Sequence, residues 1–119
     1  MTQYMISFND GDMTFPEEEL PAVADAAHAV VQQAMDAGVW AFGGGLYPHE
    51  EVSVVDTDGT VTDGPYPESK AYLGGFSVVD VPSREEALKW AAKIAVACRC
   101  AQEVREFLPD PTVWPDPTV

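Results

Sequence analysis

The sequence predicts an α+β fold built around one core. Three observations carry this. Several short segments alternate apolar and polar residues, two longer ones repeat their apolar residues at helical spacing, and stretches rich in glycine and proline separate them. With 119 residues, 46% of them hydrophobic, the chain can build one core but not two independent ones.

Tyr4, Ile6 and Phe8 alternate with Met5, Ser7 and Asn9, which predicts a first strand. Asn9-Asp10-Gly11-Asp12 ends it. The cluster has the composition of a calcium loop, but Pro21 stands where the bidentate Glu is needed, so calcium is rejected. Thr14 with Glu17 reads as a capping box, and Pro16 as part of a short turn. A helix body is expected from near Pro21, with Leu20, Val23, Ala24, Ala27, Val30, Val31, Ala34 and Met35 as its apolar stripe and Gly38 as its stop. His28 lies off that stripe and reads as a partly exposed structural histidine.

Val39 to Phe42 predicts a second strand, followed by Gly43-Gly44-Gly45. These glycines match neither a dinucleotide fingerprint nor a phosphate loop. They let the backbone bend or approach a neighbour closely. Val52–Val55 and Thr60–Thr62 flank Asp58-Gly59, a strong hairpin signal. Asp63-Gly64-Pro65-Tyr66-Pro67 must be loop, since two prolines cannot join a ladder. Leu73 to Val81 predicts a strand with Phe76, Val78 and Asp80 on one side. Ser83 and Glu86 form a capping box for a second helix whose face is Ala87, Leu88, Ala91, Ala92, Ile94 and Ala95. Ala101 to Phe107 predicts the last strand.

The order is strand, helix, strand, hairpin, strand, helix, strand. Without the hairpin this is the split β-α-β pattern of ferredoxin-like folds, with both helices on one face of the sheet. So short a chain has nothing left to cover the other face, and sheet-to-sheet pairing of two copies is the simplest cover. Residues 1–108 are expected to form the domain. Residues 109–119, which repeat Pro-Asp-Pro-Thr-Val around Trp114, are expected to form a proline-rich tail, either anchored on a partner subunit or loose.

The chain has 20 acidic residues against 6 Lys and Arg, a formal net charge of −14. Such a surface repels nucleic acid and anionic membranes, and it reads either as a charge that keeps a dimer soluble or as one that attracts a basic protein partner. No apolar run reaches the length of a membrane span, and the start of the chain lacks a secretory pattern, so a cytoplasmic location is expected. Cys98 and Cys100 match neither a redox pair nor a zinc site and read as reduced thiols. No haem or flavin signature occurs, and no cofactor is expected.

Thr62-Asp63-Gly64-Pro65-Tyr66-Pro67-Glu68-Ser69-Lys70 resembles the signature of DGPF-domain proteins, a branch of the YCII-related family, with Tyr66 in place of the usual Phe. Leu73-Gly74-Gly75-Phe76, the Gly43-Gly44-Gly45-Leu46 segment with Pro48, the helix from Ser83 to Ala92 and Glu103-Val104-Arg105 also resemble that family. Two positions depart from the pattern: Ala95 and Glu106 stand where the family often has proline. The resemblance implies a dimeric α+β barrel with a cleft between sheet and loops. Relatives include lyases and oxygenases acting on small molecules. Others are encoded beside extracytoplasmic-function sigma factors, which implies a non-enzymatic regulatory partner as the alternative. The YCII branch has a His and Asp pair as its proposed active site.

From their own chemistry, the candidate catalytic residues are His49 and Asp63, and the motifs around them differ from those of the YCII pair. His49 has the intrinsic pKa for acid/base work. His49-Glu50-Glu51 lacks the second histidine of a zinc helix, and no metal is expected. Asp63 reads either as a partly buried base or as a cap on the loop amides. Glu103 and Arg105 share a strand face and read either as a polar cleft, with Arg105 gripping a carboxylate, or as an ion pair at a strand edge or subunit interface. Glu68 and Lys70, with Tyr66, complete the candidate substrate contacts. The expected function is a small-molecule-binding homodimer, with lyase-like chemistry as the enzymatic form.

Overall fold

A computed structural model describes residues 1–64 and 71–113. The elements are β1 (Thr2–Asn9), a 3-10 turn (Glu17–Glu19), α1 (Leu20–Asp36), β2 (Trp40–Gly45), a second 3-10 turn (His49–Glu51), β3 (Ser53–Val55), β4 (Val61–Asp63), β5 (Leu73–Val81), α2 (Arg84–Cys98) and β6 (Glu103–Glu106). Four strands form one sheet in the order β2-β5-β1-β6, and β3-β4 stands apart as a two-stranded hairpin. Every neighbouring pair is antiparallel.

The alternation of β1 places Tyr4 and Ile6 toward the helices. They pack with Val79 and Val81 of β5 and with Ala87 and Ala91 of α2 into the buried core. Burying each of the larger side chains stabilises the fold by about 1.5–3 kcal/mol. The opposite face carries Met5 and Ser7 of β1, Phe76 and Val78 of β5, Phe42 of β2, and Glu103 and Arg105 of β6, as the strand registers require. No described helix packs there. Val78 is buried among its neighbours, whereas Phe42 remains 65% exposed.

Helix ends follow their local chemistry. Pro21 lies in the first turn of α1, where its missing N–H has no intrahelical partner to lose. The helix closes in a Schellman motif. Gly38 adopts φ +74°, its N–H donates to Met35 O at 3.0 Å, and the Val39 N–H donates to Ala34 O at 3.0 Å. At the start of α2, Ser83 Oγ accepts from the Glu86 N–H at 3.3 Å. That helix runs on through Ala95 to Cys98 and ends on Arg99, which takes φ 59°. The Arg99 guanidinium donates to Glu19 at 2.7 Å and lies over the Phe15 ring, tying the two helices' ends together.

The second strand differs from the sequence expectation. It does not stop at Phe42, because Gly43, Gly44 and Gly45 themselves pair with Ser77, Phe76 and Gly75. A Cβ on Gly43 would sit 2.5 Å from Phe76 O and 2.7 Å from Ser77 Cα, so only glycine allows this strand approach. The last strand is shorter than the expected Ala101–Phe107. Cys98 is buried, Cys100 is half-buried, and both are free thiols whose pKa burial raises. No described helix is long and apolar enough to cross a membrane.

Candidate functional site

At the end of β1 the chain turns through Asp10, while the short helical turn at His49–Glu51 is brought over it from the far side of β2. Asp10 Oδ2 accepts two hydrogen bonds from one residue. The His49 backbone N–H donates at 2.8 Å, and His49 Nδ1 lies at 2.7 Å. The Asp10 N–H in turn donates to Tyr72 O at 2.6 Å. The Tyr72 ring stacks on the imidazole with centroids 4.2 Å apart and planes 5° from parallel. Ring plane, tautomer and backbone are thus all held by neighbours.

The electrostatics agree with that geometry. The backbone N–H of His49, then its ring, hold the Asp10 carboxyl below the usual carboxylate range. An ionised Asp10 needs a donor at Nδ1, which leaves the Nε2 lone pair available in the neutral imidazole. Nε2 lies 3.3 Å from Glu50 Oε1, on a side chain that is 71% exposed. The imidazole itself is 33% exposed and lines a cleft of about 570 Å³ with Leu46, Tyr47, Val52, Val54 and Tyr72. Cleft volumes of this order suit small molecules.

Asp10, His49 and Glu50 also each offer a ligand atom within 4.8 Å of one another. Oδ2 of Asp10 is already engaged by two donors, and Glu50 is exposed.

The other sequence candidates are distributed. Asp63 ends β4, is exposed, and accepts a bond from Ser53 Oγ at 3.3 Å across the hairpin. The carboxylate that meets His49 is Asp10, not Asp63. Arg105 lies opposite Met5 on the open face of the sheet, with Glu103 opposite Ser7. Both are exposed, and neither forms an ion pair with a described residue. Arg105 lines a separate cleft of about 670 Å³ with Met5, Phe107, Leu108, Asp110 and Val113. Five residues of β1 separate its level from that of Asp10, about 16 Å at strand rise. One chain therefore does not bring His49, Asp63 and Arg105 together. Tyr66, Glu68 and Lys70 lie outside the described residues, as does the tail from Trp114 onward.

Asp10 and Tyr72 are the site residues that the sequence reading passed over. Asp10 and His49 are 39 positions apart, and no local spacing links them. The available signal was an Asp at the end of a strand next to a chain-reversing glycine, a place where loops carry functional groups.

A search of curated proteins gives no match. A family model does match, over residues 2–109, and it is described as the YCII-related domain. The match takes in both halves of the His49–Asp10 pair and nearly the whole of the 119-residue chain. The chain belongs to the YCII-related domain family.

Proposed function

We propose that the protein is a small-molecule-handling homodimer in which His49 and Asp10 move a proton on the bound molecule. The observation that carries this is the 2.7 Å contact between Nδ1 and Oδ2 at the wall of a ligand-sized cleft. Asp10 orients the ring, and Nε2 removes or returns the proton. Proton abstraction followed by loss of a leaving group is the lyase-like form of that chemistry.

The homodimer rests on the open sheet face. Phe42, Phe76 and Met5 form an apolar surface that no described helix covers. Sheet order and strand directions support a ferredoxin-like arrangement, whose free face two copies would close into a barrel. Arg105 and Glu103 would then lie at the seam, where the guanidinium can grip a carboxylate. Tyr66, Glu68 and Lys70 remain proposed substrate contacts because the cleft residues Ala71 and Tyr72 follow them directly. Asp63 is proposed as an outer contact of the same loop.

Thermal-shift screening of small neutral and anionic molecules, followed by NMR of the His49 ring protons, tests the reading. Hits should shift those resonances and weaken at least tenfold in Asp10→Asn. Hits that leave His49 unmoved and bind Asp10→Asn normally would rule the site out.

The net charge of −14 favours a second reading, a non-enzymatic partner of a basic protein on a sigma-factor pathway. Capture of such a partner should weaken steeply with salt, and salt-independent capture would count against it.

A further inference from the structure

The space between α1 and the glycine strand β2 is a second site, separate from the His49 cleft. Ala27, Val30 and Val31 of α1 face a strand that offers Gly43, Gly44 and Gly45 in place of side chains. Walls this shallow cannot close on each other, and a cavity of about 460 Å³ remains between helix and sheet. A Cβ on Gly45 would meet nothing within 4 Å, so the room there is not taken up by any neighbour. The His49 cleft shares none of its described lining residues with this cavity.

The cavity's chemistry is selective. Among the described residues no Asp, Glu, Lys or Arg lines it, in a chain of which 22% is charged. Ser77 and Gln102 contribute a hydroxyl and an amide, and His28 joins them from the exposed side of α1. The Gln102 Nε2 is already turned to Cys100 O at 3.3 Å. An ion placed here would lose part of its hydration without meeting a described carboxylate, ammonium or guanidinium, whereas an apolar body with one hydroxyl or carbonyl can replace what it loses. At about 460 Å³ the space is three times the ~150 Å³ cavity that accepts one benzene in an engineered protein interior. Met13, Met35 and Trp40 in the lining supply polarisable, adaptable contacts.

We propose that this cavity binds a neutral, largely apolar small molecule, with the bulk of two or three rings and one hydroxyl or carbonyl group. It is a binding site in its own right and needs no proton transfer by His49.

The test titrates the full-length protein with N-phenyl-1-naphthylamine, a neutral probe that brightens in apolar surroundings. Competitors are 2-naphthol and, at the same pH 7, its charged analogue 2-naphthoate. The expected result is one saturable site per chain, emptied by 2-naphthol and at least tenfold less readily by 2-naphthoate. Ala27→Leu and Gly45→Val fill the cavity from opposite walls. Each should weaken the probe tenfold or more while circular dichroism stays native. His49→Gln should leave binding unchanged, so that failure of the His49 reading and failure of this one are told apart. No saturable site, equal competition by naphthoate, or a folded filled variant that binds like the parent would each overturn the proposal. If one filled variant does not fold, the other decides, and the naphthol–naphthoate comparison needs neither.

Discussion

Phe42→Ser removes the most exposed aromatic from the open sheet face and measures what covers it. The ring is 65% exposed, and its one ring contact among the described residues is with Phe76, at 6.0 Å between centroids. A fully buried phenylalanine hides roughly 150–200 Å², so about 100–130 Å² is available for cover by a partner. At ~25 cal/mol per Å² that cover contributes about 2.5–3 kcal/mol per copy. A two-fold interface counts the substitution twice, about 5–6 kcal/mol in all, which raises the dimer dissociation constant up to ~10⁴-fold. Sedimentation velocity over a dilution series reads this directly. The folded monomer should lose only the Phe76 contact, about 0.5–1.5 kcal/mol, and urea unfolding checks that it does. A parent that stays monomeric and folded, or a Phe42→Ser dimer as tight as the parent, would refute the argument that this face is shielded by a second copy.

Other substitutions test other links. The Asp10 carboxyl is held low, so it stabilises the fold above its ordinary pKa of 3.8, and that stability fades as pH falls through its lower folded value. Asp10→Asn should therefore be less stable than the parent in urea at pH 7, with the gap narrowing at pH 3; a gap that does not narrow would detach Asp10 from His49. Gly43→Ala forces a methyl to within 2.5 Å of Phe76 O and should part β2 from β5, lowering stability by about 1–3 kcal/mol. Hydrogen exchange on β2 amides should rise, and unchanged protection would show that the strands do not need this glycine. Gly38→Ala meets no atom within 4 Å, so its cost is the left-handed φ alone, about 1–2 kcal/mol, read as a drop in Tm.

The order of elements was legible because each carries its own local signal. Period-two alternation marks β1, Asp58-Gly59 marks the hairpin with Gly59 at φ +87°, and Ser83 with Glu86 marks the start of α2. The glycines of β2 were legible as a bend or a close approach, but that they extend the ladder was not, because it depends on how closely β5 comes to them. His49 was legible as an acid/base candidate from its chemistry alone. Its partner was not, since Asp63 and Asp10 look alike to any argument from spacing.

The sequence by itself determined that the chain alternates strands and helices around one core, where the helices begin, and which family it resembles. Those properties reside in contacts a few residues apart, set by periodicity, caps and turns. Only the tertiary structure decided that Asp10 meets His49 across 39 positions, that Tyr72 stacks on the ring, and that α1 stands off a glycine strand. Each of these depends on how sheet order carries distant segments to one place, and the pattern of neighbours along the chain holds no record of that.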